Sequence, residues 1–208
     1  MSLIIPAPKP SKSLPPSATS IPYLPARRDL GSLADAKPVV VIDTREQTPL
    51  PIARLPVTRD TLTTGDYSFL GAEEMFSIER KTVQDFIGCC VASERERFLR
   101  EMHRLRGYRF KRLLIVGSRS EIEQQRYRGN LAPQAALGTL AMIEARYDVP
   151  VVFCASPEAA AELIERWVTY FARELVLSLN NIQKGLVRHA GTPAPDSAQS
   201  PTAITLEA

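Results

Sequence analysis

The 208-residue sequence has little of what staples, anchors or addresses a chain. It holds three cysteines, Cys89, Cys90 and Cys154, and two of them are adjacent. An odd count with two neighbours makes a poor disulfide framework, and no C-x-x-C or Cys/His spacing suggests zinc. Reduced, buried thiols in a reducing compartment are the expectation. No apolar run approaches the roughly 20 residues of a membrane span. The opening MSLIIPAPKPSK has only a short apolar stretch broken by prolines, which does not match a secretory leader. These absences predict an intracellular protein without membrane attachment: cytoplasm or nucleoid in a prokaryote or phage, nucleus in a eukaryote. Neither G-x-G-x-x-G nor a phosphate-loop sequence occurs, so the common nucleotide-binding readings fail. Charge of one sign is not in excess either. Lys and Arg number 26 against 23 Asp and Glu, a net charge of +3, so only local clusters can signal a polyanionic partner.

What is present is ordinary globular material, 44% hydrophobic and 24% charged. The length suits one domain with a real core. Residues 1–37 are rich in Pro, Ser and Ala without a sustained period and read as a disordered arm; 181–208 reads as a mostly disordered tail. Between them, 38–180 reads as one folded domain. PVVVID (38–43) is a continuous β-branched run, as expected of a buried strand. VTRDTL, TTGDYSFL and MFSIER read as further strands, forming an antiparallel meander with their neighbours. Thr82 is placed to cap a helix through VQDFIGCCV, with Asp85 in its first turn, where the helix dipole favours an acid. SERERFLREMHRLRGY is a second helix, because Phe98, Met102 and Leu105 recur at intervals of three and four. RLLIVG and VPVVFC are buried strands. PQAALGTLAMIEARY is a helix with Pro133 in its first turn, and SPEAAAELIERWVTYFARELVLSL is a long terminal helix. Strands that later alternate with helices predict an α/β fold, a mixed central sheet flanked by helices.

Three acids fall at strand ends or turns: Asp43 closes the first strand, Asp66 follows a Gly turn, and Glu79 ends MFSIER. Lys81 lies two residues beyond Glu79. Residues two apart on a strand share a face, so Glu79 and Lys81 point together while Arg80 points away. Carboxylates of this kind hold hard cations such as Mg²⁺ or Mn²⁺. Such a metal activates water and neutralises charge on a phosphate under attack. The lysine can orient or deprotonate that water, or stabilise developing negative charge. Alone, Glu79 and Lys81 would read as a solvated surface pair; Asp43 and Asp66 are what lift the pattern toward metal-dependent phosphodiester cleavage. An aspartyl-phosphatase reading of VVVIDTRE is discounted, because Arg45 stands where that chemistry wants a second Asp.

The segment GDYSFLGAEEMFSIERKTVQD has the form Gly-Asp, spacer, Glu-Arg-Lys, three residues, Asp. It resembles the nuclease signature of the XPF family of structure-specific endonucleases. VVVIDTREQTPLP resembles the family's opening strand, ERFLREMHRLRGYRFKRLLIVGS its next helix and strand, and ARYDVPVVFCASPEAAAELIERW its closing strand and helix. The resemblance covers about residues 38–175. It implies a restriction-endonuclease-like α/β core, and cutting of duplex DNA beside single-strand junctions by a dimer. It implies metal-site roles for Asp43, Asp66 and Glu79, and a catalytic role for Lys81. Arg80, Arg45 and Glu46 are implied to orient the acids or to contact the scissile phosphate, with Asp85 in a supporting place. The cofactor implied is Mg²⁺ or Mn²⁺. Family members usually carry a tandem helix-hairpin-helix domain after the nuclease, and some a helicase before it; this sequence reads as a stand-alone nuclease domain. The family also contains partners whose site has decayed, so a non-catalytic DNA-binding or scaffold subunit is the rival reading.

Local charge agrees with a DNA partner. Residues 95–112 hold eight basic side chains against two acids, with Phe98, Tyr108 and Phe110 interleaved. Arg97, Arg100 and Arg104 are the candidate backbone contacts, since phosphate neutralisation supplies much of the affinity for DNA. A solvated helix face with Glu–Arg pairs is the plainer reading of the same residues. His103 and His189 lack partners and read as helix-surface and tail positions. Trp167, on the terminal helix, reads as core or as an interface through which a homodimer or heterodimer pairs.

Overall fold

A computed structural model describes residues 37–190. The arm expected over 1–36 and the end of the tail, 191–208, lie outside the described residues. The described residues form six strands and five helices: β1 (Val40–Asp43), β2 (Val57–Asp60), β3 (Tyr67–Phe69), β4 (Phe76–Thr82), α1 (Val83–Cys89), α2 (Ala92–Leu105), β5 (Phe110–Val116), α3 (Arg119–Glu123), α4 (Pro133–Tyr147), β6 (Val151–Cys154) and α5 (Pro157–Ala190). Ala36–Glu174 forms one compact unit; the described part of a second unit is 175–190, the end of α5. Residues 181–190, expected in the tail, are helical.

The strands form one sheet in the order β2-β1-β3-β4-β5-β6. Antiparallel pairing holds β1 to β3 and β3 to β4, and parallel pairing joins β4 to β5 and β5 to β6. The expected meander is corrected at its start: β2 runs parallel to β1, Val40 opposite Val57. A parallel neighbour needs a crossover rather than a hairpin, and the proline-punctuated stretch from Thr44 to Pro56 supplies it. The exposed Val57, Arg59 and Asp60 make β2 a polar edge, which is the usual protection against edge-to-edge pairing.

Alternation along the central strands sorts the two faces. Leu113 and Ile115 of β5 point into a core built with Phe86 and Ile87 of α1, Phe98, Met102 and Leu105 of α2, Ile122 of α3, and Leu140 and Ile143 of α4. Phe76 and Phe110 point to the other face, stack at 4.4 Å between ring centroids, and meet Phe171 of α5 edge-on. Burying each such large side chain contributes roughly 1.5–3 kcal/mol, so the middle of the sheet is the rigid part of the molecule. The helix starts follow local chemistry. Thr82 caps α1 as predicted, its Oγ1 accepting from Asp85 N at 3.1 Å, and Asp85 Oδ2 accepts in return from Thr82 N at 3.3 Å. All three cysteines are free and buried, as expected of structural thiols.

Candidate active site

The sheet register lines up the three acids. Asp43 N donates to Asp66 O at 2.9 Å, and Asp66 N donates to Ile78 O at 2.8 Å. Continuing the observed pairings Ile42–Tyr67 and Tyr67–Ile78 by one residue sets Asp43 opposite Asp66, and Asp66 opposite Glu79. Residues directly opposite on antiparallel strands share a face, with Cβ atoms about 5 Å apart. The acids therefore form a row across β1, β3 and β4 on the face covered by α2. Gly65 makes the row possible. Its φ is +81°, and a Cβ there would lie 2.3 Å from Ser77 Oγ and 2.9 Å from Ile78 O. Only glycine accepts both the left-handed turn and the close passage of β4, and this delivers Asp66 against Glu79.

The row divides by environment. Asp43 is 1% exposed, and its carboxylate accepts from Arg45 N at 2.8 Å, Arg45 Nε at 2.7 Å, Arg45 Nη2 at 2.9 Å and Leu62 N at 2.7 Å. Burial pushes its pKa up, but the Arg45 guanidinium and the two backbone donors outweigh that and hold it below the ordinary value. Asp43 is thus spent on fixing Arg45, whose side chain remains two-thirds exposed to the cleft. Among the described residues no group of three or more His, Cys, Asp or Glu is placed to share a cation. Asp43 turns both of its carboxylate oxygens to N–H donors.

Asp66 and Glu79 are the reverse case. Burial, with Glu46 and Glu101 adding to it against Lys81 and the Arg80 N–H, raises Asp66 to about 6. Burial, then the neighbouring Asp66 charge, raises Glu79 well above its ordinary value against the pull of Lys81. Glu79 Oε2 is buried with no hydrogen-bond partner, whereas Oε1 accepts from Lys81 Nζ. Two facing carboxylates with an orphaned oxygen form an electrostatically unsatisfied pair, which is the condition a bound cation relieves. That donor set fits Mg²⁺ or Mn²⁺, since Mg²⁺ is commonly held by one or two carboxylates and keeps several waters.

Lys81 shares the Glu79 face, as strand alternation requires, and lies 3.9 Å from Glu101 Oε2 of α2. Burial opposes its charge, but Glu79, Glu101 and Asp66 prevail and keep the ammonium protonated, with its pKa raised. Sequence reading missed Glu101, although helical spacing could have found it: it lies four residues after Arg97 and three before Arg104, on the same face. All three line a cleft of about 310 Å³ with Asp66, Glu79 and Lys81. Arg100 does not join them; it faces away and pairs with Glu96 at 3.8 Å.

Arg80 points to the opposite side of the sheet, as alternation predicts. It is almost buried, and its Nη2 donates to Glu46 Oε1 at 2.7 Å, Thr48 O at 2.8 Å and Thr48 Oγ1 at 2.7 Å. Its backbone N–H donates to Asp66 Oδ2 at 2.7 Å. Arg80 and Glu46 together lock the loop after β1 against β4, and both line a cleft with Asp66 and Lys81. Asp85 serves the α1 cap and lines a second, adjoining cleft of about 600 Å³. The two clefts share Arg45, Asp66, Lys81 and Arg97, so the open space continues on both sides of the acid pair.

The expected class, an α/β fold with a mixed sheet flanked by helices, is the one found. The ERCC4 domain model matches residues 42–166, more than half of the chain, and the chain belongs to that family. Among solved structures it is similar to XPF from Aeropyrum pernix, with 21% identity and a TM-score of 0.54, covering 71% of this chain and 70% of that one. XPF from Aeropyrum pernix in complex with DNA is similar at 21% identity and a TM-score of 0.52, covering 66% of each chain. No curated protein matches the chain.

Proposed function

We propose that this protein is a divalent-cation-dependent DNA endonuclease that hydrolyses phosphodiester bonds, with a preference for branched or junction-containing duplexes, in repair or recombination. The observation that carries the proposal is the Asp66–Glu79 pair: two opposed carboxylates, Glu79 buried and Asp66 half-buried at the cleft, with raised pKa values and one orphaned oxygen, beside the Lys81 ammonium. Membership of the ERCC4 family and the likeness to a fold solved with DNA support the choice of substrate.

Asp66 and Glu79 would hold Mg²⁺ or Mn²⁺, which when bound supplies charge neutralisation and an activated water. The chain's own groups do the rest. Lys81, clamped by Glu79 and Glu101, keeps a positive charge at the reacting phosphate without reorganising during the reaction. Asp43 and Leu62 O hold the Nε and Nη2 edge of Arg45 at the cleft, which leaves Nη1 to donate to a phosphate oxygen. Arg97 and Arg104 flank the acids and hold the DNA backbone in register. Arg80 and Glu46 keep the strand carrying Glu79 and Lys81 from shifting.

Pairing of two copies, or with a related chain, through the terminal helix belongs to the same proposal. Its support is exposed apolar surface: Tyr170 within the compact unit and, on 175–190, Leu177, Leu179 and Ile182. Light scattering that returned a monomer at assay concentration would remove this part alone. The enzymatic part is tested by incubating the protein with labelled linear, flap and forked DNA, in EDTA, Mg²⁺ or Mn²⁺. Metal-dependent cutting, faster at junctions, is expected. Binding without cutting under every condition would establish the scaffold reading instead.

A further inference from the structure

Beyond the two clefts at the acid pair lies a third, of about 620 Å³, between α2 and α4. Its polar rim is Arg100, Arg104, Arg106 and Arg146, with His103 and the single acid Glu96. Glu96 is engaged with Arg100. Arg104 and Arg146 are exposed, and among the described residues no carboxylate forms an ion pair with either. The floor is Tyr147, 6% exposed, with the His103 ring edge-on at 6.4 Å and the Arg146 guanidinium 5.4 Å from its centroid. Arg104 lines both this cleft and the one holding Asp66 and Glu79. It stands two helical turns, about 10 Å, along α2 from Arg97. Open space and positive charge thus continue from the acid pair over the α2 surface to the end of α4.

A core-facing or structural role does not account for this arrangement. Four arginines on one rim repel one another, and Glu96 beside Arg100 and Asp148 beside Arg106 offset them only in part, so the cluster costs stability in the absence of a polyanion. A small anion would need a closed pocket, and this cleft is open, with its lining drawn from α2, Arg106 and the end of α4. A phosphodiester backbone is the ligand whose charge recurs at the spacing that such a path offers.

The geometry points to a second DNA-backbone site: we propose that the α2–α4 cleft takes the phosphates of the substrate arm that leaves the catalytic cleft past Arg104. This rests on the reading of the protein as a DNA nuclease, and it adds Arg106 and Arg146 to the contacts that sequence suggested. The cleft binds but does not cut, so it governs affinity and the path of one arm rather than the chemical step.

The test uses the full chain carrying Arg106→Gln and Arg146→Gln together, both surface positions remote from the acids. Affinity for a fluorescent forked duplex is measured by anisotropy over a salt series, with single-turnover cleavage at saturating DNA alongside. Each lost phosphate contact lowers the slope of log affinity against log salt by about 0.9. The double variant is therefore expected to bind about tenfold more weakly at moderate salt, with a slope lower by nearly 2 and an unchanged cleavage rate. A charge-matched control, Arg54→Gln with Arg166→Gln, removes two cations that both pair with Glu162 and is expected to leave the slope as it was. Wild-type affinity and slope in the double variant, with wild type still cutting, would overturn the cleft proposal and leave the nuclease reading standing. A slope lowered equally by the control would also overturn it, since net charge alone would then explain the effect. Wild type that neither binds nor cuts DNA would remove both readings.

Discussion

The acid pair should cost the metal-free protein stability, and Asp66→Asn should recover it. Asp66 is raised from 3.8 to about 6, net of the help it receives from Lys81 and the Arg80 N–H. A carboxyl whose folded pKa lies above its unfolded value binds its proton better when folded. Its ionisation therefore works against folding: the cost is absent below about pH 4, grows between 4 and 6, and is complete above 6. About two units at 1.36 kcal/mol each gives up to about 3 kcal/mol above pH 6. Asn keeps an oxygen for the Arg80 N–H and removes only the charge. In EDTA at pH 8 the variant should unfold at a temperature higher by roughly 10 °C, since 1 kcal/mol moves a domain of this size by about 2–8 °C. At pH 4 the two proteins should melt together. Mg²⁺ at pH 8 should stabilise wild type and not the variant, because a ligand that binds only the folded state raises its stability. A variant less stable than wild type at pH 8 in EDTA would refute the reasoning, since Asp66 would then be favoured, not opposed, by its surroundings.

Other outcomes follow from the same geometry. Asp43→Asn should slow cleavage while leaving Mg²⁺ stabilisation intact, because Asp43 holds Arg45 and not the cation; loss of the thermal shift would contradict that assignment. Arg80→Met should cost about 3–5 kcal/mol in urea unfolding, the usual penalty for leaving a buried partner, here Glu46, unpaired. Gly65→Ala should destabilise the protein by at least about 2 kcal/mol and weaken cleavage beyond what unfolding explains, since the strained φ and the Ser77 clash displace the residue that carries Asp66.

The sequence made the site legible to the extent that strand periodicity did. Alternation put Glu79 and Lys81 on one face and Arg80 on the other, and the Gly-Asp pair announced the turn that delivers Asp66. The capping box at Thr82 and Asp85 was equally local and equally readable. Two features were not. The parallel placement of β2 depends on which edge of β1 is free, and nothing within VTRDTL records that. The division of labour among the acids depends on where Arg45 and the Leu62 N–H come to rest, 2 and 19 residues from Asp43 in the chain. A pattern of acids gives candidates for a cation, but only the donors folded against each acid decide which oxygens remain free. Glu101 illustrates the same limit, because its helix had to be docked on the sheet before its acid could be assigned to Lys81.

The central claim is that Asp66 and Glu79, beside Lys81, form a cation-dependent centre for phosphodiester hydrolysis. Single-turnover cleavage of a forked duplex by wild type, Asp66→Asn and Glu79→Gln, in Mg²⁺ and in EDTA, tests it most directly. The account predicts cutting by wild type in Mg²⁺ alone, and a fall of at least about a hundredfold in each variant, the scale of losing a principal electrostatic group. Cutting by wild type in EDTA, or by either variant at the wild-type rate, would contradict it.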